Sequence, residues 1–185
     1  GASLIARDIT AHKQAERELE RLAQIDSLPG LANRRHFLLL AEQEISRTHR
    51  YGGELAVLML DIDRFKLIND NHGHQTGDLV LQAFARVCRS SLRDVDVAGR
   101  IGGEEFAAIL PQTGQAQAFE VVERLRKNIE ASALTLANGQ TLPFTASIGV
   151  ATLNSTVVKL DTLLAQADQA LYRAKNSGRN RVCAN

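Results

Sequence analysis

The chain has 185 residues, enough for one domain with a short appendage. Its formal net charge of +1 supplies no field that would point to nucleic acid or a membrane surface as partner. Hydrophobic residues make up 44%, as in an ordinary globular protein, and neither a bilayer-length apolar run nor a signal-peptide pattern occurs.

Residues 5 to 25 read as a charged helix with a thin apolar seam, in which Ile5, Ile9, Ala15, Leu19 and Leu22 fall near heptad spacing and His12 interrupts. The pattern suits a parallel dimeric coiled coil or a solvated helix equally well. Asp26-Ser27-Leu28-Pro29-Gly30 breaks it. The expected organisation is therefore a linker helix over 1–25 and a domain over 26–185. Because the chain starts at Gly1 rather than Met, it reads as an excised piece of a longer protein, in which any sensor or membrane segment upstream would not be seen.

Asn33 is placed to cap a helix running to about Tyr51. Leu55 to Leu60 is an unbroken apolar run, the mark of a strand buried on both faces, and it ends in Asp61-Ile62-Asp63. Helices are predicted from Arg64 to Asn71 and from His74 to Leu92. Val95 to Ile101 and Phe106 to Leu110 read as two strands joined by a Gly-Gly turn. A helix begins at Thr113, with Phe119, Val122, Leu125 and Ile129 on one face. Pro143 to Ala151 is a further strand. Leu160, Leu163, Leu164, Ala167 and Leu171 mark the last long helix, and Arg181 to Ala184 a closing strand. The sum is an α/β domain, a mixed central sheet covered by helices. Cys88 and Cys183 form no metal-type pair; two lone thiols fit a reducing compartment, and Cys88 reads as a small buried apolar residue.

Carboxylates at the carboxyl end of a central strand commonly face the ligand crevice of an α/β sheet. Period-two geometry sets Asp61 and Asp63 on one face, with the Ile62 carbonyl between them. Glu104 and Glu105 stand at a hairpin tip that reaches Asp61 if the hairpin lies beside the central strand. Such oxygen ligands suit magnesium. The bland alternative is that Asp63 caps the next helix and the glutamates solvate a turn. Gly102 and Gly103 permit positive φ and close approach of a ligand. His72 and His74 flank Gly73, but the carboxylates supply a harder site, so the histidines read as structural.

Asp61-Ile62-Asp63-x-Phe65-Lys66-x-x-Asn69-Asp70 followed by Gly102-Gly103-Glu104-Glu105-Phe106 resembles the GGDEF family of diguanylate cyclases. Asp26-x-Leu28-x-Gly30-Leu31-x-Asn33-Arg34, Gly73-His74-x-x-Gly77-Asp78, Ser147-Ile148-Gly149 and Ala174-Lys175-x-x-Gly178-Arg179-Asn180 agree in order and spacing. The resemblance covers roughly residues 26 to 185. Where the family usually reads Leu-Thr-Gly-Leu, this chain has Leu28-Pro29-Gly30-Leu31, which removes a hydroxyl and an N–H at the linker junction.

The resemblance implies a nucleotide-cyclase-like fold and a cytoplasmic enzyme that joins two GTP into cyclic di-GMP across a homodimer. The full-length protein could be tethered to a membrane. Asp61, the Ile62 carbonyl, Glu104 and Glu105 would hold Mg2+ (or Mn2+), with Asp61, Glu104 and Glu105 as the catalytic set. Glu105 serves as further ligand or as base to the attacking 3′-hydroxyl. Phe65 and Lys66, at a helix start, together with Lys175 and Arg179, would meet the phosphates. Asn69 and Asp78 would read guanine. Arg93 and Asp96, an Arg-x-x-Asp pair just before Gly102, with Arg124, resemble the site at which product inhibits. The alternative to an enzyme is a non-catalytic cyclic di-GMP receptor; such degenerate members usually lose the motif carboxylates or glycines, and this chain keeps them.

Overall fold

The structure, a computed structural model, describes residues 26, 28, 30–153 and 159–185. The expected helix over 5–25 and the Pro29 departure lie outside the described residues.

In chain order the elements are β1 (Ala32–Asn33), α1 (Arg34–Tyr51), β2 (Leu55–Ile62), α2 (Phe65–His72), α3 (His74–Ser91), β3 (Val97–Arg100) and β4 (Glu105–Pro111), then α4 (Gln115–Ala131), β5 (Leu134–Thr135), β6 (Thr141–Leu142), β7 (Ala146–Thr152), α5 (Leu160–Asn176) and β8 (Val182–Ala184). Six strands form one mixed sheet in the order β1-β3-β4-β2-β7-β8, while β5 and β6 form a small separate hairpin. The outermost pairs, β1 with β3 and β7 with β8, are parallel, and the inner pairs are antiparallel.

The apolar run at β2 became the sheet's centre because all eight of its residues are buried. Alternation along it feeds two cores. Leu55, Val57 and Met59 pack with Phe37, Ala41 and Ile45 of α1 and Leu163, Ala167 and Leu171 of α5. Ala56, Leu58, Leu60 and Ile62 pack on the opposite face with α2, α3 and α4. Burying one such aliphatic side chain contributes about 1.5–3 kcal/mol, so the helices clamp β2 and hold its carboxyl end in place.

Asn33 caps α1 as expected, its Oδ1 accepting from the His36 N–H at 3.0 Å. Several expectations are corrected. Val95 is exposed and lies outside β3, and Pro143 precedes β7. Thr113 does not open α4. Its hydroxyl donates to the Pro111 carbonyl and accepts from Arg93, and Gly114 occupies the cap. Phe119 is 44% exposed, so the buried stripe of α4 is Ala118, Val122, Leu125 and Ile129. Strands β1, β5 and β6, two residues each, carry too little pattern to be read from sequence.

Candidate functional site

The register of the central sheet builds the site. β2 and β4 run antiparallel with Asp61 opposite Glu105, and β2 and β7 with Asp61 opposite Ser147. The β3–β4 hairpin thus lies beside the central strand, and its tip arrives at Asp61. The Ile62 N–H donates to the Glu104 carbonyl at 3.4 Å, which fixes the tip against β2. Burial pushes the Asp61 carboxyl above its ordinary value. Lys175 opposes that through an ion pair at 2.7 Å, while the neighbouring Glu104 and Glu105 reinforce it.

Gly102 and Gly103 do not adopt the left-handed backbone that the sequence allows. What Gly102 provides is room, since a Cβ there would stand 2.6 Å from Glu105 Oε2. The turn is instead held by Arg100, a residue the sequence reading passed over. Its guanidinium donates to the Gly102 carbonyl at 3.1 Å and to the Gly103 carbonyl at 2.7 Å, and pairs with Asp26 at 3.4 Å. An arginine two residues before the Gly-Gly pair was the available signal.

Asp63 departs from its reading. It does not cap α2, whose cap is Arg64 in the left-handed conformation (φ 56°) without a side-chain bond. The buried Asp63 carboxylate accepts from Ser147 Oγ at 2.7 Å, Thr145 Oγ1 at 2.8 Å and the Asn180 N–H at 3.0 Å. With its acceptors so committed, it is a fastening between β2, β7 and the turn after α5.

α2 begins at Phe65, whose ring is buried, so Phe65 can meet a ligand only through its N–H. Lys66 follows, exposed, as does Arg179 beyond α5. Neither side chain has a hydrogen bond or ion pair among the described residues. Lys175 differs, since it is the counter-ion of Asp61. α2 packs on α3, which brings Asn69 against Gly77 and beside the exposed Asp78. A Cβ at Gly77 would overlap Asn69 Oδ1, so glycine is what admits that amide. Among the described residues, Asn69 Oδ1 is the one buried side-chain oxygen or nitrogen left without a hydrogen-bond partner. An orphaned acceptor of this kind calls for an explanation, and a ligand N–H is one.

No three His, Cys, Asp or Glu side chains among the described residues converge closely enough to form a ready metal cluster. The chemistry of the donor set still suits a hard divalent cation, because three carboxylates share one strand end and the two glutamates add to the push on the Asp61 carboxyl. His72 and His74 belong to no such cluster.

Arg93 and Asp96 are brought together at the start of β3. The Arg93 Nη2 donates to Asp96 Oδ1 at 3.0 Å, to Thr113 Oγ1 at 2.8 Å and to the Pro111 carbonyl at 3.3 Å. The Asp96 side chain is 1% exposed and also accepts from the Arg93 N–H at 2.8 Å. Asp96 is therefore not a surface acceptor; it holds Arg93, which remains half exposed. Arg124, on α4, donates to the Ser91 carbonyl at the end of α3, two residues from Arg93.

A family model described as "Diguanylate cyclase, GGDEF domain" matches residues 23–181. Diguanylate cyclase DgcM of Escherichia coli (strain K12) is 41% identical over 181 residues, 97% of this chain and 43% of that protein. The crystal structure of the GGDEF domain of DgcB from Caulobacter crescentus in complex with c-di-GMP superposes with a TM-score of 0.83 at 34% identity, covering 88% of this chain and 95% of that one. A second DgcB structure, coiled coil and GGDEF domain with c-di-GMP, gives a TM-score of 0.85 at 32% identity, covering 99% of this chain and 100% of that one. The chain spans less than half the length of the curated relatives it matches.

Proposed function

The chain belongs to the GGDEF family, and we propose that it is a diguanylate cyclase, condensing two GTP into cyclic di-GMP with release of two pyrophosphates. The observation that carries this is the register that sets Asp61 across from Glu105 with Glu104 beside it. Three carboxylates at one strand end, with a cationic side chain beside them, suit phosphoryl transfer better than mere ligand capture. A non-catalytic receptor has no need of them.

Asp61, Glu104, Glu105 and the Ile62 carbonyl would hold Mg2+ or Mn2+, which when bound supplies charge stabilisation at the α-phosphate and the departing pyrophosphate. The protein's own part is orientation. The start of α2 at Phe65 and Lys66 offers backbone N–H groups and an ammonium to the phosphates, and Arg179 adds a guanidinium. Asn69 Oδ1 and the Asp78 carboxylate accept from guanine N–H groups that adenine lacks. The 3′-oxygen of one GTP forms a bond to the α-phosphorus of the other, the bond to pyrophosphate breaks, and the hydroxyl proton passes to Glu105 or to water.

One site holds one GTP, so two domains must meet with sites opposed in a homodimer, and an upstream sensor in a longer cytoplasmic protein would govern that meeting. Among the described residues no helix is long and apolar enough to cross a membrane. Product inhibition is assigned to Arg93 and Arg124, with Asp96 as the holder of Arg93. The test is incubation with GTP and Mg2+ over a dilution series. A cyclic dinucleotide whose specific rate falls as the protein becomes monomeric is expected; activity undiminished in a demonstrated monomer would refute the dimeric mechanism.

A further inference from the structure

Arg126 has no role assigned above and Asn180 only its N–H bond to Asp63, yet they anchor a dense polar network. The turn after α5 places Gly178, Arg179 and Asn180 at φ values of 118°, 66° and 45°. Two consecutive non-glycine residues in the left-handed region are unfavourable for L-amino acids and persist only when their surroundings impose them.

Asn180 is where they are imposed. Its N–H donates to Asp63 Oδ2 at 3.0 Å. Its side-chain amide is clamped at both ends, Oδ1 accepting from Arg126 Nη1 at 2.7 Å and Nδ2 donating to Glu130 Oε1 at 2.7 Å. Arg126 is itself fixed on α4 by Glu123 at 2.8 Å and Glu130 at 2.9 Å, with its side chain only 11% exposed. Hydrogen bonds that Arg126 donates to Glu123 hold the guanidinium charge firmly, and Arg126 keeps the Glu130 carboxyl below its usual range.

The network runs from α4 through Asn180 to Asp63, two residues beyond Asp61. Between this clamp and α5 stands Arg179. Its own N–H is tied to the Ala174 carbonyl at 3.0 Å, while its side chain is exposed and unpaired among the described residues. Arg179 and Arg64, the cap of α2, line a common cleft of about 420 Å³. A fixed backbone carrying a free guanidinium is the arrangement that lets an arginine meet an anion at little further entropic cost.

We propose that Arg126 and Asn180 are a positioning pair that fixes the Arg179 turn for the terminal phosphates of the substrate, and so sets the preference of the site for a triphosphate over a monophosphate. The inference rests on the reading of the site as a GTP site.

The experiment measures affinity for a GTP analogue methylene-bridged between its α- and β-phosphates, and for GMP, in the parent, Arg126→Ala, Arg126→Lys and Asn180→Gly. Asn180→Gly removes the clamp while keeping the left-handed backbone accessible, so it carries the test alone if Arg126→Ala does not fold. Loss of a charge-assisted anchor predicts roughly tenfold weaker analogue binding in Arg126→Ala and Asn180→Gly, GMP binding within about twofold of the parent, and partial recovery in Arg126→Lys. Unchanged analogue affinity in Asn180→Gly, or equal weakening of both ligands, overturns the proposal. A parent that binds neither nucleotide overturns instead the reading of the site on which it rests.

Discussion

Gly149 links the stability of the sheet to the geometry of the site. It lies in β7, opposite Met59 of β2 and Cys183 of β8, directly beneath α5. A Cβ there would overlap the Ala167 carbonyl oxygen and the Leu171 N–H nitrogen, and stand 2.9 Å from Leu171 Cα. All three are backbone atoms of α5, so no side-chain rotation relieves the clash. In Gly149→Ala the helix must lift by about 1 Å or more, enough to forfeit a quarter to a half of each dispersion contact beneath it. Leu163, Ala167 and Leu171, all nearly inaccessible, lose that packing. The cost falls at the upper end for overpacking, about 3 kcal/mol, against the small gain alanine ordinarily brings to a strand. For a chain of this size that lowers Tm by roughly 6–12 °C. Lys175 rides on the same helix, 2.7 Å from Asp61, so catalysis falls as well. Thermal unfolding by circular dichroism checks the figure, with Gly103→Ala as control because nothing lies within 4 Å of a Cβ there. A Gly149→Ala protein melting within about 2 °C of the parent would refute the reasoning.

Arg93→Ala should lose most cyclic di-GMP binding in calorimetry and, by stranding the buried Asp96 carboxylate, about 1–2 kcal/mol of stability; unchanged affinity would remove Arg93 from the product site. Asp78→Ser should relax selection of GTP over ATP in a competition assay, and undiminished discrimination would show that the purine is read elsewhere. Burial pushes the Cys88 thiol up to about 12, so native alkylation should label Cys183 and leave Cys88 untouched until unfolding. The native state keeps a proton that the unfolded state gives up above pH 9.0, so this contribution to stability is complete below that pH. It falls by up to about 1.4 kcal/mol per pH unit as pH rises towards 12. Cys88→Ala should flatten that slope, and equal slopes in parent and variant would contradict it.

What the sequence made legible was local or strictly periodic. The apolar run of β2 announces a strand covered on both faces, and the polar break at Asp61 announces where that strand ends. Asn33 announces a cap because its partner, His36, is three residues away. The juxtaposition of Asp61 with the hairpin tip was conditional on the hairpin lying beside the central strand, which the β2–β4 register supplies. The parts that stayed hidden depend on partners distant in the chain. Asp63 is bonded to Asn180, 117 positions on, and Arg126 to Asn180, 54 positions on, and neither pairing leaves a periodic trace. The spacing of Arg93 and Asp96 marked them as a pair, but not that the Asp96 carboxylate is buried and bonded to Arg93. Phe119 misled for a different reason. It sits one position from the true stripe of α4, where small Ala118 takes the buried place and the larger side chain stays half in water.

The proposed activity assigns phosphoryl transfer on GTP to the carboxylates gathered at the end of β2. Mass spectrometry of the products formed from GTP and Mg2+ by the parent and by Asp61→Ala, both verified as cooperatively folded, tests it most directly. Cyclic di-GMP is expected from the parent and none from Asp61→Ala. Parent-like product formation by Asp61→Ala would contradict it.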